Sequence, residues 1–150
     1  MKVYNAAIAG LGFIGAGDQV SGDKLGQNVT DLDGTHFFAY DKNLRINLVC
    51  GSSRDLGRRI RFRDKCGARV YEEWKDMLKD ERIDIISVAT YTPYHEEIVL
   101  ASAEAGVKII YCEKPIANTL ASAKRMFEKC AASDCSLIIN HQRRFNSNYQ

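Results

Sequence analysis

A doubly wound parallel α/β fold is what this 150-residue sequence predicts. Six short apolar runs recur along it: Val3 to Ala9, Ile46 to Cys50, Ala68 to Tyr71, Ile85 to Thr90, Lys108 to Cys112 and Leu137 to Asn140. Segments with helical spacing of apolar residues separate most of them, and strand alternating with helix means a parallel sheet. The runs are apolar throughout, so the sheet needs cover on both faces. The first run passes directly into Gly10-Leu11-Gly12-Phe13-Ile14-Gly15, a glycine spacing that belongs to the first turn of such sheets.

The connecting helices follow from the same spacing. Trp74, Met77 and Leu78 mark one apolar face, and Ile98, Ala101 and Ala105 a second. Leu120, Ala123, Phe127 and Cys130 mark a third, with Asn118 or Thr119 as its N-cap. Helical character also appears at Thr35 to Tyr40, where Phe37 and Phe38 supply apolar surface. Between these, Gly17 to Gly34 holds four glycines and four aspartates, which is loop chemistry. It reads as an insertion of roughly 20 residues into the usual strand–helix–strand unit. Asp31-Leu32-Asp33-Gly34 faintly resembles a calcium loop but lacks the remaining ligands, so no metal site is expected. A polar surface loop is the simpler reading; folding over a bound ligand is the alternative.

Composition bounds the class. With 45% apolar and 27% charged residues the chain reads as one soluble globular domain. No apolar run approaches the roughly 20 residues needed to cross a bilayer, and the N-terminus shows no signal-peptide pattern, so a cytoplasmic location is expected. A formal charge of +2 gives no reason to expect nucleic acid or a membrane surface as partner. The five cysteines, Cys50, Cys66, Cys112, Cys130 and Cys135, contain no CxxC pair and read mainly as buried free thiols.

The glycine turn has a chemical meaning. Gly10 lets the backbone turn tightly, Gly12 lets a pyrophosphate approach the main chain, and Gly15 allows helix and strand to pack closely. The amides of Phe13 and Ile14 would then face the phosphates at a helix N-terminus. This is the dinucleotide-binding arrangement of a Rossmann domain. Proteins of this type that prefer NAD place an acid at the end of the second strand; here Gly51-Ser52-Ser53-Arg54 stands there, with no acid before Asp55. Serine hydroxyls and a guanidinium suit a 2′-phosphate, so NADP(H) is expected over NAD(H), with Ser53 and Arg54 as its contacts. From Arg54 to Lys65 six basic residues face two acidic ones, and a solvated basic helix face is the alternative use of that charge.

Three further polar clusters fall at carboxyl ends of strands, the edge where open α/β sheets take ligands. They are Thr90-Tyr91-Thr92-Pro93-Tyr94-His95, Glu113-Lys114-Pro115 and Asn140-His141-Gln142-Arg143-Arg144-Phe145. With these, the chain resembles the N-terminal domain of the glucose–fructose oxidoreductase, inositol dehydrogenase and rhizopine-catabolism (Gfo/Idh/MocA) family, over essentially its whole length. Glu113-Lys114-Pro115 is the most specific of the matching motifs. The resemblance implies an NAD(P)-dependent oxidoreductase transferring hydride to or from a sugar, sugar derivative or polyol. It also implies a second α+β domain, expected beyond residue 150, that supplies most of the substrate pocket and the oligomer contacts.

Carried over, Thr90, Tyr91 and His95 would line the nicotinamide side, and Glu113 and Lys114 would sit beside the ring. Lys114 would be the catalytic relay, since oxidising a carbinol by hydride transfer leaves a hydroxyl proton for a positioned base. His95 reads equally as a packing residue. Arg143 and Arg144 read either as substrate contacts or as ion-pair partners. The family's proline after the strand-four threonine is replaced by Tyr91, with Pro93 two residues later. The chain alone is expected to bind cofactor without turnover and to self-associate through uncovered apolar surface. Two other readings remain: a non-catalytic redox-sensing module, which has no need of Lys114, and an adenosylmethionine-dependent methyltransferase, which would want an acid where Arg54 stands.

Overall fold

The computed structural model describes residues 2–20 and 34–141. Its strands are β1 (Tyr4–Ala9), β2 (Ile46–Ser52), β3 (Arg69–Tyr71), β4 (Ile85–Val88), β5 (Ile109–Glu113) and β6 (Ser136–Asn140). They form one parallel sheet in the order β3-β2-β1-β4-β5-β6. The helices are α1 (Phe13–Ala16), α2 (His36–Asp41), α3 (Leu56–Cys66), α4 (Trp74–Asp80), α5 (His95–Glu104) and α6 (Leu120–Ala132), with a 3-10 turn at Thr92–Tyr94 before α5. The expected doubly wound α/β class is the observed one.

Side chains alternate along β1 and so sort the core into two layers. Ala6 and Ile8 join Leu11, Phe37, Tyr40 and Phe62 under α1 to α3. Ala7 and Ala9 join Met77, Ile86, Ile98, Ile110 and Met126 under α4 to α6. Ile8, Ile86, Ile98, Ile110 and Met126 are wholly buried, each stabilising the fold by about 1.5–3 kcal/mol relative to exposure. The order runs outward from β1 to β3 and then crosses to β4. The carboxyl ends of β1 and β4 therefore flank the point where the winding reverses, which is where such sheets open a crevice.

Local signals set the helix ends. Thr35 caps α2 by accepting from the Phe38 N–H, Asp55 caps α3 through Arg58 N–H, and Thr119 caps α6 through Ser122 N–H. One detail refines the expected arrangement and one corrects it. The helix after the glycine turn is one turn long, closed by Gly17 in the left-handed region at φ 67°. A macrodipole therefore contributes little there. On α6 the buried residues are Met126 and Cys130, whereas Leu120 and Phe127 are exposed. The expected stripe runs along the edge of the true buried face. Residues 21–33, with most of the expected insertion and Asp31 to Asp33, lie outside the described residues, as do Arg143, Arg144 and Phe145. Among the described residues no helix is long and apolar enough to cross a membrane, and no cluster of His, Cys, Asp or Glu could hold a metal ion.

Candidate functional site

A groove of about 470 Å³ opens along the carboxyl ends of β1, β2, β3 and β4. Gly10, Gly12, Phe13 and Ile14 form its floor, Ser53 and Arg54 one wall, and Thr90 and Tyr91 the other. A Cβ on Gly10, which sits at φ 101°, would lie 2.4 Å from the Ala89 carbonyl oxygen; one on Gly15 would lie 1.9 Å from that of Gly10. Bare backbone is thus a steric requirement at both places. The first bond within α1 runs from Ala16 N–H to Gly12 C=O at 2.9 Å. The amides of Phe13 to Gly15 precede it, and those of Phe13 and Ile14 belong to residues that line the groove. Thr90 Oγ1 is buried with no hydrogen-bond partner among the described residues. A buried hydroxyl left in that state favours a polar ligand beside it. The residues present fit a dinucleotide: a glycine floor for phosphates, with the Arg54 cation and Thr90 on the two sides of it.

The basic segment is mostly spoken for within the protein. Arg61 grips Asp18 with Nε and Nη2, both at 2.9 Å, and Arg58 Nε lies 3.6 Å from the same carboxylate. Lys65 donates to the Ala16 carbonyl at 3.1 Å and stands over the Phe37 ring, where burial lowers its pKa. These contacts bolt α3 to the end of α1. Arg59 donates to the carbonyls of Ser53 (2.6 Å) and Arg54 (3.1 Å) and to Glu72 (3.2 Å), fixing the turn that presents Ser53 and Arg54. Arg54 itself, at the groove, meets Glu73 at 3.3 Å and the Tyr94 ring. A freely solvated basic face is therefore not what these residues form.

Glu113, which ends β5, and Lys114 after it lie one strand beyond the groove wall on the same edge of the sheet, and neither lines the groove. The Glu113 side chain is 12% exposed and accepts from His36 Nε2 at 3.0 Å and from Asn140 Nδ2 at 2.6 Å. Burial acts to raise its pKa, but these bonds together hold it below the ordinary carboxylate value. Behind His36, Nδ1 lies 2.8 Å from Ser87 Oγ, which lies 2.6 Å from Tyr40 Oη. One tautomer satisfies the whole chain: Tyr40 donates to Ser87, Ser87 to His36 Nδ1, and His36 Nε2–H to Glu113. Burial pushes the Tyr40 hydroxyl up to about 12, so it stays a donor.

His95 does not line the groove. It is 1% exposed, with Nε2 3.0 Å from the Thr90 carbonyl and Nδ1 3.0 Å from that of Pro115. The start of α5 packs it between the two strand tips, so its work is to tie them together. His141 is exposed at the end of β6. The groove also takes in Tyr94 of the expected cluster after β4, and residues not expected as contacts: Asp55, Arg58, Glu72, Glu73 and Trp74. Glu72 and Glu73 directly follow an apolar run, at a strand's carboxyl end, and that position was their one signal. Asn140 carried the same positional signal at the end of β6, and His36 carried none.

Fold and groove together define a dinucleotide-binding Rossmann domain of the oxidoreductase type. The chain belongs to the Gfo/Idh/MocA family, described as an oxidoreductase family with an NAD-binding Rossmann fold, whose model matches residues 4–141. It is 33% identical over 106 residues to an inositol 2-dehydrogenase/D-chiro-inositol 3-dehydrogenase of Shouchella clausii, covering 70% of this chain and 30% of that protein. It is 32% identical over 126 residues to an inositol 2-dehydrogenase of Paracoccus denitrificans, covering 77% of this chain and 37% of that one. The WlbA dehydrogenase of Bordetella pertussis, solved with NADH and UDP-GlcNAcA, has the same fold at a TM-score of 0.82. There identity is 23%, over 99% of this chain and 40% of that one. The chain thus spans 30% to 40% of the length of these proteins.

Proposed function

We propose that this chain is the nucleotide-binding part of an NAD(P)-dependent dehydrogenase that acts on a sugar, sugar derivative or polyol, with NADP(H) slightly preferred. The observation that carries the reading is the groove at the winding reversal, where Gly10, Gly12, Arg54 and Thr90 share one cavity. The polyol class is supported by the inositol dehydrogenases among its relatives.

In this reading Phe13 and Ile14 lend amides to the pyrophosphate, Ser53 and Arg54 hold the adenosine ribose and its 2′-phosphate, and Thr90 and Tyr91 flank the nicotinamide. The bound nicotinamide supplies the acceptor for the substrate's hydride. Lys114, the residue after β5, would relay the hydroxyl proton, accepting it as the neutral amine and passing it on to solvent. Glu113, clamped by His36 and Asn140, keeps a fixed negative charge beside that lysine. The substrate pocket and the remaining catalytic groups would come from a further domain.

The test is direct titration of the chain with NADPH, NADH and adenosylmethionine in parallel, read by the fluorescence of Trp74 on the groove wall. Saturable binding of both dinucleotides, NADPH the tighter, is expected. Binding of adenosylmethionine alone, or of none of the three, overturns the reading.

A further inference from the structure

Arg54 reaches from the tip of β2 to two partners on other elements. Its Nε donates to Glu73 Oε1 at 3.3 Å, and its guanidinium carbon lies 5.4 Å from the centroid of the Tyr94 ring. Glu73 precedes α4 and Tyr94 precedes α5, so the cation is held where three connections converge on the groove. Three carboxylates line this wall, and they are not equivalent. Asp55 accepts the Arg58 N–H at 2.7 Å as the cap of α3. Glu72 takes Arg59 at 3.2 Å. Glu73 is the one paired with the Arg54 guanidinium, and that pairing holds the Arg54 pKa above its ordinary value.

We propose that Glu73 is a specificity-determining residue, an internal anion that competes with a ribose 2′-phosphate for Arg54. This rests on the reading of the groove as an NAD(P) site. The Arg54 and Glu73 side chains are 65% and 43% exposed, and an ion pair so placed adds little to the fold. It therefore yields readily to a phosphate, which a guanidinium binds through two parallel bonds. The displaced carboxylate stays on the same wall, where its charge opposes the phosphate's. A dinucleotide with a free ribose diol meets no such opposition and leaves the pair intact. Arg54 thus favours the phosphorylated cofactor while Glu73 limits by how much, and the balance lies in two side chains on different loops.

The test measures NADPH and NADH dissociation constants for the chain and its variants by Trp74 fluorescence. In Glu73→Gln the preference for NADPH over NADH is expected to rise about fivefold. In an Arg54→Ala background the same substitution should move the ratio by less than about twofold, because the contested cation is gone. Glu73→Asp keeps the charge but withdraws it by one methylene; a smaller rise there gives a second measurement should Glu73→Gln fail to fold. An unmoved ratio in both variants, with both dinucleotides still bound, overturns the role of Glu73 and leaves the groove reading standing. Failure of the unaltered chain to bind either dinucleotide overturns both.

Discussion

His36 and Glu113, 77 residues apart in the chain, meet inside the protein with 3.0 Å between Nε2 and Oε1. The contact joins α2, the first described element after residues 21–33, to the motif that ends β5. His36→Ala would leave a largely buried carboxylate short of a donor, so a loss of about 2–4 kcal/mol is expected. His36→Gln, which can still donate to Glu113, should recover part of it. Urea unfolding of the three proteins checks both statements.

The same carboxylate makes stability depend on acid. Its folded pKa lies below the ordinary 4.5, so it contributes stability that is fully present above that value and lost as the pH falls through the lower folded one. Glu113→Gln removes the titration. The stability difference between neutral pH and about pH 3 should therefore be smaller in Glu113→Gln than in the unaltered chain. Chemical denaturation at the two pH values measures it, and an unchanged difference would show that Glu113 is not the group responsible.

Glycine substitutions should separate steric need from backbone strain. Gly106 sits at φ 84° with open space around it, so Gly106→Ala should cost only the left-handed penalty, about 1–2 kcal/mol. Gly15→Ala places a carbon 1.9 Å from a carbonyl oxygen, and the turn must move to admit it. It should destabilise more than Gly106→Ala and abolish dinucleotide binding, read by thermal unfolding and by Trp74 fluorescence.

The thiols give an independent check on packing. Burial pushes Cys50, Cys112 and Cys130 up to about 12, and Cys135 upward as well, leaving little thiolate at neutral pH. Cys66 is exposed. A disulfide reagent should modify the native chain at one site, and Cys66→Ser should abolish that reaction until denaturant is added.

Much of this was legible in the sequence, and the limits have a physical origin. The glycine turn and the strand tips were readable because phosphate recognition and sheet topology fix residue type at short spacing. Thr119 was readable as a cap because the bond it makes is local. The face of α6 was half readable: Ala123 and Cys130 lie on the expected stripe, but Leu120 and Phe127 flank the buried strip that Met126 occupies. Helical period fixes the width of an apolar stripe more firmly than its rotation. Basic residues from Arg58 to Lys65 could not be assigned from charge alone, because the Asp18 carboxylate and the Ala16 carbonyl that hold them are set by tertiary folding. His36 was invisible for the same reason.

The imidazole of His95 bridges the backbone at Thr90 and at Pro115 with one rigid ring. Two loops on neighbouring strands are thereby held by one side chain. The backbone at Thr90, which borders the cavity, and the carbonyl of Pro115 beside Lys114 therefore have only that ring between them.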